Sequence, residues 1–129
     1  MKQRKSFINI ANEWMRLIQN VNIISQESWH HLQNILAIID NIRNSTASEI
    51  LLLTSVALGN AQDIRLVDKF YEGLKDISDN ENIPIALVHE YWQKRISEGT
   101  PFHTLVQADQ VHPTVEGYRL MAEAVMEVL

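Results

Sequence analysis

The stretch richest in chemistry is Ala108-Asp109-Gln110-Val111-His112-Pro113-Thr114-Val115-Glu116-Gly117-Tyr118. Pro113 suits the first position of a helix, where a missing N–H is not needed. His112 then falls just before that helix, with Asp109 three residues earlier on the same loop. A carboxylate this close can accept a hydrogen bond from one ring nitrogen, fixing the tautomer and leaving the other nitrogen free as an acceptor. Such a pair is the base half of a Ser-His-Asp arrangement. On spacing alone, a helix cap beside a surface imidazole is the more ordinary reading.

Other residues carry weaker signals. Eight serines, at 6, 25, 28, 45, 48, 55, 78 and 97, are candidate nucleophiles. Ser55 is of most interest, near the C-terminal end of a predicted strand, where α/β sites gather; strand-end duty is its ordinary role. His30 and His31 are adjacent on a predicted helix and diverge by about 100° around it, so they do not share a metal. There is no cysteine, which removes disulfides, thiolate chemistry and Cys-based zinc sites. No metal site and no cofactor are expected.

These residues must be held by strands and helices. Ile50 to Val56 and Ile83 to Val88 are short, nearly continuous apolar runs, as expected of strands covered on both faces. Turn-forming residues precede each. Helical stripes surround them: Trp29, Leu32, Leu36, Ile39 and Ile42, starting near Ser25; then Ile64, Val67, Tyr71 and Leu74; then Tyr118, Met121, Ala122, Val125 and Leu129. Tyr91 and Trp92 are expected to anchor a short helix after the second strand. Strands alternating with helices imply an α/β fold with parallel pairing. The expected architecture is a partial three-layer α/β/α, flavodoxin-like parallel sheet truncated at the N-terminus. Two strands are few for such a sheet, so further strands come from a partner or a missing part.

Asp-x-x-His-Pro-x-x-x-Gly-Tyr, followed by the Arg119 to Ala124 helix, closely resembles the last conserved block of SGNH/GDSL-type ester hydrolases. Residues 28–42 with 50–55, and 63–78 with 83–88, resemble that family's preceding helix and strand pairs. The resemblance implies serine esterase chemistry: His112 as general base and acid, Asp109 orienting it, and an oxyanion held by backbone N–H groups and an asparagine. It implies that the Gly99 to Ala108 loop borders the substrate pocket, making His103 a candidate pocket contact, and that His89 is structural. The family's Gly-Asp-Ser motif is absent, and all four glycines (59, 73, 99 and 117) lie downstream of where it belongs. Phe7 to Trp14 can be laid over the family's third block, with Asn12 as the oxyanion asparagine, Ile10 replacing its glycine and Glu13 its aspartate. The same residues make a good helical stripe (Phe7, Ile10, Ala11, Trp14, Leu17, Ile18), so residues 1–22 are expected to form an atypical N-terminal helix.

Composition narrows the function. The 129 residues suit a single domain, and 46% hydrophobic content argues against disorder. A net charge of −5 argues against nucleic-acid binding. No apolar run nears the roughly 20 residues of a membrane span, and the N-terminus does not read as a signal peptide, so a cytoplasmic protein is expected. Two functions compete. One is hydrolysis of a small ester, with the serine outside this chain or lost from it. The other is a non-catalytic fragment that self-associates through its open sheet edge, as a homo-oligomer or with a missing N-terminal segment. A flavodoxin-like binding module is disfavoured by the lack of a glycine-rich phosphate loop.

Overall fold

The computed structural model describes residues 26–129 apart from positions 58 and 60. The expected N-terminal helix, Asn12 and Ser6 therefore lie outside the described residues, as does the Ser25 cap. The chain divides into two compact units, residues 1–50 and 51–129.

In the first unit, α1 spans Gln26–Ser45. Leu32, Leu36 and Ile39 of its predicted stripe are all buried, while Ile38 on another side is exposed. Thr46 extends the helix by one backbone bond to the Ile42 carbonyl and donates its hydroxyl to the same oxygen.

The second unit is helix-rich with a small two-stranded parallel sheet: β1 (Leu52–Leu53), α2 (Ala61–Glu81), β2 (Ile85–Ala86), α3 (Val88–Ser97), a 3-10 turn (Phe102–Thr104) and α4 (Val115–Met126). Leu52 pairs with Ile85 and Leu53 with Ala86, in the parallel register expected of a helical crossover. Both strands are shorter than the apolar runs suggest. Burial along the first run alternates: Leu52, Thr54 and Val56 are buried, whereas Leu53 (41% exposed) and Ser55 face outward. The expectation of a strand covered on both faces therefore fails at Leu53. An all-leucine run cannot reveal which of its faces finds a covering layer.

Local chemistry ends the helices where the sequence allows. Asn82 adopts φ +53, and the Ile83 N–H bonds back to the Ser78 carbonyl (3.0 Å), the left-handed stop that asparagine tolerates. Gly99 (φ +115) does the same for α3, with Thr100 N–H on the Arg95 carbonyl (3.0 Å). The core of this unit joins Val56, Val88, Trp92, Leu105, Val106, Leu120 and Ala124. Trp92 is fully buried at its centre, the anchor expected of it, and burying a large apolar side chain stabilises the fold by roughly 1.5–3 kcal/mol. Tyr91 is only partly buried and donates its hydroxyl to Glu123 Oε2 (2.6 Å), tying α3 to α4. No helix among the described residues is long and apolar enough to cross a membrane.

Candidate functional site

The site is a loop clamped at its base. Buried Leu105 and Val106 follow the 3-10 turn, and Val106 pairs antiparallel with Pro113. Gln107 N–H donates to the His112 carbonyl (2.8 Å), and Thr114 N–H donates to the Leu105 carbonyl (2.9 Å). Residues 107–112 thus form a closed excursion whose two ends cannot separate without breaking these bonds. Pro113 is not the first helical residue. It lies in the bridge, and Thr114 caps α4 instead, its hydroxyl accepting from Gly117 N–H (3.2 Å). Threonine supplies the side-chain acceptor that proline lacks, so the helix begins one residue after it.

Within the loop, Gln110 takes φ +60 and its N–H donates to the Gln107 carbonyl (2.9 Å). That left-handed residue turns the chain so that Val111 N–H and His112 N–H both point at Asp109 Oδ1, each at 3.0 Å. The second oxygen, Oδ2, accepts from His112 Nδ1. Asp109 therefore receives three donors. The His112 ring contributes most, and together they hold the carboxyl down at about 2. An ionised carboxylate has no proton to give, so Nδ1 must carry the hydrogen and Nε2 the free lone pair. No described residue hydrogen-bonds Nε2, and the His112 side chain is 69% exposed. Chemically, this is an oriented imidazole able to accept and return a proton. Val111, Val115 and Tyr118, close by in the chain, expose apolar surface.

The other candidates lie elsewhere. No hydrogen bond joins a serine to His112 among the described residues. Ser78 is buried and bonds the Ile83 carbonyl, and Ser97 bonds the Lys94 carbonyl (2.6 Å). Ser55 is exposed at the exit of β1 and interacts with the Tyr71 hydroxyl. His103 is exposed on the 3-10 turn. His30 and His31 are exposed on α1. No group of three or more metal-ligating side chains is present among the described residues.

Sequence reasoning missed the environment of His89. Its Nδ1 lies 2.8 Å from Thr54 Oγ1, and its backbone N–H donates to the same oxygen (3.3 Å). Its ring packs on Tyr71 with centroids 4.3 Å apart. Burial pushes the imidazole below its ordinary value, against the pull of Glu90. It borders an open cleft of about 210 Å³ with Asp68, Tyr71, Glu72, Lys75, Glu90 and Gln93. Neither Asp109, His112 nor His103 lines that cleft. No sequence signal marked the pair, because Thr54 and His89 are 35 residues apart.

No protein-family model and no curated protein matches this chain. Solved structures do. Two catalytic mutants of Axe2, an acetylxylan esterase from Geobacillus stearothermophilus, superpose with TM-scores of 0.60 and 0.57, each at 21% identity. A further Axe2 mutant, described as an acetyl-xylooligosaccharide esterase, gives 0.60 at 22% identity. The fold is esterase-like. The matches cover 70–71% of this chain but only 42% of each of those structures, so the chain spans about two fifths of their length.

Proposed function

We propose that this chain supplies the His–Asp half of an SGNH/GDSL-type ester hydrolase site. The observation that carries this reading is the threefold hold on Asp109, which fixes His112 with Nε2 free. His112 takes the proton from a serine hydroxyl as that oxygen attacks the ester carbonyl, then returns it to the leaving alcohol. Asp109 holds the tautomer and stabilises the imidazolium. The serine belongs to residues outside those described or to another polypeptide, together with the strands that complete a three-layer α/β/α sheet. Asn12 is the candidate oxyanion donor and His103 the candidate pocket contact. The substrate is a small ester, and the exposed Val111, Val115 and Tyr118 favour an uncharged one. The protein acts in the cytoplasm as a homo-oligomer.

A fluorophosphonate serine probe tests this, read by intact mass. A single adduct lost in His112→Ala, and reduced by about 10⁴-fold in rate in Asp109→Asn, is expected wherever the serine is present. An adduct indifferent to His112 removes the proposal.

One observation favours a second reading. Among the described residues β1 and β2 pair with each other alone, which leaves each an outer edge and suits a fragment that self-associates through its open sheet edge. Concentration-dependent size in light scattering, abolished by Leu53→Lys, is the outcome that reading requires.

A further inference from the structure

We propose that the segment leaving β1 sets the position of His112 through Gln110, which makes Gln110 a positioning residue. The proposal rests on the reading of Asp109 and His112 as half of a hydrolase site.

The segment leaving β1 is pinned by buried groups. Thr54 N–H donates to the Ala86 carbonyl (3.0 Å), which continues the ladder. The Thr54 hydroxyl, fully buried, meets both the backbone N–H and Nδ1 of His89. The Thr54 hydroxyl thus ties β1 to both the main chain and the ring of His89, which makes His89 an anchor. Two residues on, the Val56 carbonyl accepts from the Tyr71 hydroxyl (3.3 Å), and the Tyr71 ring packs on His89. Thr54 and Val56 are thus fixed from α2 and α3 together.

Three residues after Val56 comes Gly59, against which the Asp109–His112 loop rests. A Cβ on Gly59 would stand 2.7 Å from Gln110 Oε1, 3.3 Å from Gln110 Cβ and 3.1 Å from Phe102 Cε1. The Gln110 side chain therefore lies directly on the Gly59 backbone, beside the Phe102 ring. Gln110 is also the left-handed residue whose turn aims Val111 and His112 at Asp109. A non-glycine residue holds φ +60 only where its surroundings over-determine it. The contact with Gly59 is such a surrounding, and it explains why a residue with a side chain serves there when glycine would turn more easily. Thr54 and Val56 are anchored earlier in the same segment, and contacts run from Gly59, through Gln110, to the Asp109–His112 pair.

NMR of the full chain tests the proposal without needing a nucleophile. Two signals report the pair: a downfield His112 Nδ1 proton, and the Val111 and His112 amide shifts that follow Asp109 as it titrates. In the parent chain Asp109 should titrate near about 2. Gln110→Ala, on an exposed side chain, keeps the fold and should broaden the Nδ1 proton and move Asp109 up toward its usual 3.8. Gly59→Val should do the same, because Gln110 Cβ and the Phe102 ring cannot swing aside as the Gln110 amide can. Gln110→Met, which keeps the length and the Cβ contact, should restore both signals. Parent-like signals in Gln110→Ala overturn the positioning role, even if Gly59→Val does not fold. A parent chain in which Asp109 titrates at its usual 3.8 instead overturns the pair itself, and with it the functional reading beneath this proposal.

Discussion

Gly117→Ala should unfold the second unit far more readily than helix propensity alone allows. Gly117 is buried in the first turn of α4, where alanine is normally better by about 1 kcal/mol. Here a Cβ would stand 2.2 Å from the Leu105 carbonyl oxygen and 3.0 Å from both Pro113 Cβ and Trp92 Cη2. That is about 1 Å closer than the roughly 3.3 Å at which carbon meets a carbonyl oxygen. The oxygen is backbone and already accepts from Thr114 N–H, so it cannot rotate away. Relief requires α4 to lift from the 3-10 turn, which strains the core around Trp92 at up to about 3 kcal/mol. Loss of the Thr114 bond adds about 1 kcal/mol. Set against the propensity gain, the net destabilisation is about 3 kcal/mol, or about 12 °C in Tm for a chain of this size. Thermal unfolding followed by circular dichroism measures it. Ala122→Gly, on an exposed part of the same helix, is the control and should cost only about 1 kcal/mol. A Gly117→Ala chain as stable as the parent would show that α4 does not seat on Leu105, and the clamp at the base of the site would go with it.

Trp92 is fully buried, yet its indole N–H has no hydrogen-bond partner among the described residues. Trp92→Phe should therefore cost under about 1.5 kcal/mol while Trp92→Ala costs about 3–5 kcal/mol in urea denaturation, and equal losses would reveal a partner for that N–H. His89 is held below its ordinary 6.5 chiefly by burial, so the folded state binds fewer protons than the unfolded one. Its contribution to stability is complete above pH 6.5 and is lost as pH falls below that value toward the folded one. His89→Asn, which keeps an acceptor for Thr54, should flatten that part of the urea-midpoint profile. An unchanged slope would place the buried imidazole outside the titration.

How much of this was legible in the sequence differs from residue to residue. Asp109 and His112 are three apart on one loop, so their pairing is a local event, and their types and spacing were enough to point to it. Helix periodicity likewise found α1, α2 and α4, because an amphipathic stripe is written in nearest neighbours. The start of α4 lies two residues beyond the Pro113 that suits a first helical position. Pro113 and Thr114 both suit a helix start, and only the bridge between Val106 and Pro113 decides between them. The leucine run at 51–53 announced a strand but not its faces, since burial of Leu52 and exposure of Leu53 depend on which layers pack there. The contacts of Thr54 with His89, of Val56 with Tyr71 and of Gly59 with Gln110 join residues between 15 and 51 positions apart (110 minus 59 for the last). No periodicity or motif encodes such pairs. Thr54 meets His89 because the parallel pairing of β1 with β2 brings the strand exits together, and the other two pairs depend on how α2 and the 107–112 loop pack against the segment leaving β1, which tertiary structure alone supplies.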